Sequence, residues 1–258
     1  MRRGENGPLP AVLVHGLIGT LDDQDVIRHL SPRPILAPDL LGYGKYAWTP
    51  LDSIGLGAQV DHLRRLIDEV GSERVHLVGH SVGGAVAALF ADRYPDRAAS
   101  LVSVEGNFSL ADAFWSAKVA AMTAGEVERT LGDQRADPTG WLRDAGVGPD
   151  DRRLALARRW LGQQPASTVH AMARAVVETT GHADYERTLR RVFDRTPVYL
   201  VAGLRSRGAW HVPAWALAAS RGLTVIPDAG HLVMAEIPRR FAETINLLLA
   251  DAESGLPT

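Results

Sequence analysis

Two residues in this sequence have both the type and the setting for nucleophilic catalysis: Ser81 and His231. Ser81 stands in Gly79-His80-Ser81-Val82-Gly83, directly after the apolar run Val75–Val78 and before a helix-forming stretch. A serine on such a strand-to-helix turn is held in strained backbone with its hydroxyl exposed, and the glycines let neighbouring chains approach too closely for a β-carbon. At the start of a helix the hydroxyl also gains from the positive end of the helix dipole. A serine hydroxyl is a poor nucleophile at neutral pH unless an imidazole takes its proton. Of the nine histidines, His231 alone follows the last apolar run in a Gly-His turn. His62, His76, His170 and His182 lack such a setting and read as surface or packing residues, and His80 reads as packing of the turn.

The elements that must carry these residues follow from the apolar pattern. Short runs recur at Ala11–Val14, Pro34–Ala37, Val75–Val78, Leu101–Val104, Val198–Val201 and Leu223–Ile226. Continuous apolarity suits strands buried on both faces, as in parallel sheets. Gln59–Val70 sets Val60, Leu63, Ile67 and Val70 along one stripe, and Val82–Tyr94 is apolar nearly all round and stops before Pro95, so both predict helices. Strand and helix in alternation predict an α/β fold: a doubly wound, mostly parallel sheet of about six strands.

The rhythm breaks between Glu105 and Val198, over roughly ninety residues, far beyond an ordinary crossover. No strand-like run falls there. Helix-start signals do: Ser109-x-x-Asp112 and Thr123-x-x-Glu126 as capping boxes, Asp137-Pro138 as cap and first-turn proline, and Asp150-Asp151 before Arg152–Leu161. Ser167–Thr179 and Tyr185–Phe193 read as two more helices. The segment 108–188 is therefore expected to be a helical lid, inserted in a core made of 1–107 and 189–258, and to lie over the sheet's carboxyl edge.

Val14-His15-Gly16, Pro38-Asp39-Leu40-Leu41-Gly42-Tyr43-Gly44, Gly79–Gly83 and Ala229-Gly230-His231 occur in the order shared by the α/β-hydrolase superfamily, which the chain resembles over nearly its whole length, in its lidded form. The resemblance implies an oxyanion hole from two backbone N–H groups, those of Leu17 after the His-Gly turn and of Val82 after the nucleophile. It implies a structural part for His15, which hydrogen-bonds locally, and for Asp39, which braces its turn. Much of the family carries its acid after the strand that follows the lid. Here that loop reads Ala202-Gly203-Leu204-Arg205-Ser206-Arg207-Gly208, with no carboxylate. Some relatives, fungal lactonases among them, draw the acid from the strand before the lid, which points to Glu105. Its other reading is a solvated carboxylate at the lid hinge, and Asp228 is the reserve acid, awkwardly near His231 in sequence. Only ten residues precede Ala11, so the leading hairpin of many family members is not expected, as in compact relatives resembling plant methyl-esterases.

A net charge of −2 gives no reason to expect nucleic acid or an anionic membrane, and the absence of cysteine removes disulfides, thiolate metal sites and cysteine catalysis. Hydrophobic residues at 46% and charged residues at 22% suit a globular domain with a sizeable core. Met1-Arg2-Arg3 is followed by no apolar run, and no stretch approaches the ~20 apolar residues of a membrane span. A cytoplasmic protein that needs no metal and no cofactor is expected, its oligomeric state left open. A serine nucleophile excludes the aspartate-based epoxide hydrolases and dehalogenases of the fold, whose ester intermediates need a carboxylate. Hydrolysis of a carboxylic ester or lactone through a serine acyl-enzyme is the first expectation. A carbon–carbon bond hydrolase acting on a keto-acid, or a thioesterase, is the alternative, and a hydrolase-fold receptor or scaffold is the alternative outside catalysis. Lid tryptophans such as Trp115 and Trp141 favour a small apolar or ring-containing substrate, though tryptophans also pack helices. Arg205 and Arg207 are candidates to clamp a substrate carboxylate, against a plainer reading as solvated loop charges.

Overall fold

The structure is a computed structural model that describes residues 7–30 and 32–255. Met1-Arg2-Arg3, read above for a secretory signal, lies outside the described residues. Six strands form one sheet: β1 (Ala11–Val14), β2 (Ile35–Leu36), β3 (Val75–His80), β4 (Ala98–Val104), β5 (Val198–Gly203) and β6 (Gly222–Ile226). Their order is β2-β1-β3-β4-β5-β6 and every pairing is parallel.

Helices α1 (Gln24–Ile27), α2 (Leu56–Glu69) and α3 (Val82–Arg93) lie between β1 and β4 in the chain. Between β4 and β5 come α4 (Phe114–Ala120), α5 (Ala124–Ala136), α6 (Pro138–Asp144), α7 (Asp151–Gly162), α8 (Ala166–Gly181) and α9 (Ala183–Arg195). Helix α10 (Ala214–Ala219) separates β5 from β6, and α11 (Val233–Glu236) and α12 (Pro238–Ser254) follow.

Parallel strands need helical crossovers, and crossovers bury both faces of the sheet. Side chains therefore divide by alternation. Val12, Leu77, Leu101 and Leu200 enter one apolar layer with α2 and α3, while Leu13, Val78, Val102 and Val201 enter the other with α12 through Phe241, Ile245 and Leu249. On α2 the stripe Val60, Leu63 and Ile67 is buried as expected, but Val70 is 55% exposed because the helix has ended at Glu69. Among the described residues no helix is long and apolar enough to cross a membrane.

Six helices and, among the described residues, no strand separate β4 from β5. Thr123 and Glu126 form a reciprocal capping box, and Asp137 and Asp150 accept from Gly140 N at 2.9 Å and Arg153 N at 2.7 Å. Ser109 behaves differently. It opens a turn, α4 starts only at Phe114, and Asp112 accepts instead from Phe108 N at 3.1 Å and His211 N at 2.7 Å. A capping motif needs a helix behind it, and tertiary acceptance by Asp112 takes the box apart. The expected boundary at 188 falls inside α9, which packs on α3 and pairs Arg191 with Asp92 at 2.8 Å.

Consecutive crossovers leave β1 toward β2 and β3 toward β4, on opposite sides. The loops at the carboxyl ends of β1 and β3 thus diverge, and a crevice opens at this switch point, where ligands of open α/β sheets bind.

Candidate active site

Ser81 stands at the head of that crevice, between β3 and α3, with φ 51° and ψ −122°. A residue with a β-carbon held there stores about 1–3 kcal/mol of strain. The surroundings impose it. Ser81 N donates to Val104 O at 3.0 Å. A β-carbon at Gly83 would collide with the carbonyl oxygens of Val14 and His15, and one at Gly79 would come within 2.5 Å of Gly83 O. Two glycines thus let the turn close over β1, and Ser81 stands at the positive end of α3, whose Val82 and Ala85–Ala88 are buried.

 The helix is apolar nearly all round, so its dipole acts at Ser81 with little screening by water.

His231 lies in the turn after β6, and its Nδ1 bonds Glu105 Oε2 at 2.7 Å. Glu105 ends β4, its N–H still on the ladder to Val201 O at 3.0 Å, and a φ of 45° turns the chain away so that the side chain reaches across. Its carboxylate is 4% exposed, whereas the His231 ring is 43% exposed. The other oxygen, Oε1, accepts from Gly203 N at 2.9 Å and from the Ser206 hydroxyl. Burial pushes the Glu105 carboxyl up, but the bond and charge of His231, with Ser206 and Gly203, outweigh it and hold the group below its ordinary value. A carboxylate on Nδ1 fixes the tautomer that leaves Nε2 free to accept a proton.

His80 joins the two halves of the site. It precedes Ser81 in the chain, its Nε2 donates to His231 O at 3.0 Å, and the two rings lie 4.6 Å apart. Burial, then the neighbouring His231, push its pKa down to about 3, so it stays a neutral brace. Ser81 Oγ and His231 form no hydrogen bond with one another among the described residues; such bonds commonly tighten only with substrate in place.

The loop after β1 closes the other side. A β-carbon at Gly16 would sit 3.3 Å from Ser81 Cβ, so the His15-Gly16 turn lies directly against the nucleophile position. His15 Nδ1 donates to Gly16 O at 2.8 Å and its Nε2 accepts from Leu40 N at 3.3 Å, a pairing only the neutral ring can make. Burial lowers its pKa to about 4. Tyr43 donates to Leu17 O at 2.9 Å. The N–H groups of Leu17 and Val82 take no backbone acceptor among the described residues.

Residues at the end of α7 and just after it hold this loop and the one after β2. Gln164 Oε1 accepts from Gly19 N at 3.1 Å, and the Trp160 ring covers Gly19 so closely that a β-carbon there would meet Cγ at 2.6 Å. Gln163 O accepts from Gly44 N at 2.7 Å and its amide donates to Asp39 at 2.6 Å.

The structure brings Ser81, His231, Glu105, Leu17 and Val82 to one crevice. Asp228 is exposed, on a turn with φ 60°, and faces none of them. Arg205 is tied to the buried Glu236 and to Gly146 O at 3.0 Å, and Arg207 donates to Trp210 O at 3.1 Å. Trp141 stands edge-on to Trp160 with centroids 6.4 Å apart, and Trp115 packs half-buried on the core. Sequence reasoning missed Ser206, Gln164 and Glu236, whose carboxylate accepts from Gly230 N at 2.6 Å, beside the histidine. Ser206 had one signal, its place in the loop that lacks an acid. Glu236 had none. A cavity of about 600 Å³ lies elsewhere, between Ile54, Val127 and His170, and none of Ser81, Glu105 or His231 borders it.

A parallel sheet with a strained serine on the strand–helix elbow defines a class of protein, and comparison with known sequences agrees. The profile of the alpha/beta hydrolase family matches residues 11–244, so the chain belongs to that family. It is similar to lipase LipV of Mycobacterium tuberculosis, 40% identical over 106 residues, which is 40% of each chain. It is also similar to 2-hydroxy-6-oxo-2,4-heptadienoate hydrolase of Pseudomonas putida, 36% identical over 111 residues, again 40% of each. The matches therefore span less than half the length of these curated relatives. Among solved structures, a carboxylesterase structure from Nitrososphaera gargenis aligns with a TM-score of 0.73 at 17% identity, over 98% of this chain and 94% of the other. A haloalkane dehalogenase of Bradyrhizobium elkanii aligns with 0.74 at 19%, over 97% and 92%. At such identity these likenesses show the fold alone.

Proposed function

We propose that this protein hydrolyses a carboxylic ester or lactone through a covalent acyl-enzyme on Ser81. The observation that carries the reading is the Glu105–His231 hydrogen bond, set beside the strained Ser81 elbow. His231 Nε2 takes the hydroxyl proton as Oγ attacks the carbonyl carbon. The N–H groups of Leu17 and Val82 receive the oxyanion as two donors fixed in advance, which need no reorganisation when the charge develops. The imidazolium then protonates the leaving oxygen, and water, activated by the same histidine, releases the acid. Glu105 orients the ring and stabilises its cation.

The helices of 108–188 act as the lid, a reading supported by the Gln163, Gln164 and Trp160 contacts to loops at the sheet's carboxyl edge. Carbon–carbon hydrolysis of a keto-acid is the second reading, favoured by the likeness to the Pseudomonas putida hydrolase. The engagement of Arg205 by Glu236 counts against it, because a paired guanidinium is a poor clamp for a substrate carboxylate.

Wild type and Ser81→Ala are to be screened against short p-nitrophenyl esters, lactones, thioesters and vinylogous diketo-acids. Turnover of an ester or lactone, lost in Ser81→Ala and blocked by a serine-directed phosphonate, is expected. Undiminished turnover in Ser81→Ala ends the nucleophile assignment.

A further inference from the structure

The loop that follows β5 has no carboxylate, yet it is bound to the exit of β4 at three places. Ser206 and Gly203 donate to Glu105, Trp210 Nε1 donates to Gly106 O at 2.8 Å, and His211 N donates to Asp112 at 2.7 Å. Of these, only the contacts at Glu105 reach the pair with His231.

We propose that Ser206 is a positioning residue, whose hydroxyl, with Gly203 N–H, locks the Glu105 carboxylate in the orientation that serves His231. The inference rests on the triad reading above and deepens it. A buried carboxylate needs several donors to remain charged, and a single hydrogen bond leaves it free to swing about its last torsion. Two donors on Oε1 remove that freedom and leave Oε2 to His231 alone. The Ser206 hydroxyl has one proton and two acceptors in range, the carboxylate and Gly203 O at 3.3 Å, and the shorter, charged acceptor takes it. A backbone N–H cannot be moved by substitution, so the hydroxyl is the adjustable half of the lock. Half-buried Ser206 stands just before a single turn of 3-10 helix, Arg207–Ala209, which fixes its direction. The other titratable and charged groups around the pair are His80, from β3, and the Arg205–Glu236 ion pair beside the histidine turn.

The test compares Ser206→Ala and Ser206→Thr with wild type, in kcat, KM and the pH profile of kcat/KM on whichever ester the screen finds. A hydrogen bond to a charged group corresponds to about a tenfold or larger effect. In Ser206→Ala, kcat is expected to fall about tenfold with KM unchanged. The acid limb should move to higher pH, because a less stabilised carboxylate holds the proton of its partner ring more tightly. Ser206→Thr, which keeps the hydroxyl, should recover most of the rate. Proton NMR of the His231 Nδ1–H, whose low-field signal should shift in Ser206→Ala and return in Ser206→Thr, reads the same contact without turnover. A wild-type pH profile with an unmoved signal in Ser206→Ala overturns the proposal, as does equal damage by threonine. If no ester or lactone is turned over but the NMR signal responds as stated, the ester reading fails while the positioning of Glu105 stands.

Discussion

Glu105→Gln replaces one oxygen of a buried carboxylate by an amide of nearly the same shape, so the volume of the site is kept and only charge and donor pattern change. Gly203 N–H and the Ser206 hydroxyl both donate to Oε1, which holds the glutamine oxygen there and turns its amide nitrogen toward His231 Nδ1. Two donors cannot face one another. The imidazole must then carry its proton on Nε2, the atom that has to accept from Ser81. The lost charge-assisted bond accounts for about 1.5–3 kcal/mol, or about ten- to a hundredfold in rate. The wrong tautomer adds to this and carries the loss in kcat beyond about a hundredfold, with KM little changed, as when a triad acid is replaced by its amide. Glu105→Asp keeps the charge but shortens the reach, and partial activity is expected. Steady-state kinetics on an ester found in the screen, with folding checked by circular dichroism, measure both beside Asp228→Asn. If Asp228→Asn collapses while Glu105→Gln stays near wild type, the acid is misassigned and Glu105 is a hinge residue only.

Two further outcomes test the packing around the site. Gly83→Ala should lose at least about 1–3 kcal/mol, because its β-carbon meets the Val14 and His15 carbonyl oxygens, backbone that cannot step aside. Gly132→Ala, in the exposed interior of α5 with open space around it, should gain about 0.5–1 kcal/mol; equal effects in urea denaturation would refute the distinction. His15 and His80 refuse protons until about pH 4 and about pH 3 in the folded chain, against an ordinary 6.5. Their contribution to stability is therefore complete above pH 6.5 and drains as pH falls, since the unfolded chain takes protons that the folded one does not. At about 1.4 kcal/mol per pH unit for each ring, His15 alone removes about 3 kcal/mol between pH 6.5 and about 4. Unfolding free energies that stay level from pH 7 to 5 would contradict the burial argument.

The strands, the elbow and the histidine turn were legible in the sequence because each is a local pattern. Six apolar runs announce six strands, the four inner ones buried throughout and the two edge strands partly exposed, and Gly79–Gly83 after Val75–Val78 can fold locally as little other than a tight strand-to-helix turn. Helix starts at Thr123, Asp137 and Asp150 were legible for the same reason, since a cap and its helix lie within three residues. Ser109 and Val70 show where local reading stops: each depended on where its helix starts or ends, and distant partners or the end of packing decided that. The partner of His231 belonged wholly to the tertiary structure. Glu105 lies 126 residues away and meets the ring only because β4 and β6 flank β5 in a parallel sheet, with all their carboxyl ends on one edge. Asp228, three residues from the histidine, is turned out to solvent by the same chain geometry that presents His231. Gln164 and Glu236 carry no sequence signature of their roles, and Ser206 only its place in the loop that lacks an acid, because a single hydrogen bond across a fold needs only one polar atom in the right place, and the sheet and its loops set that place.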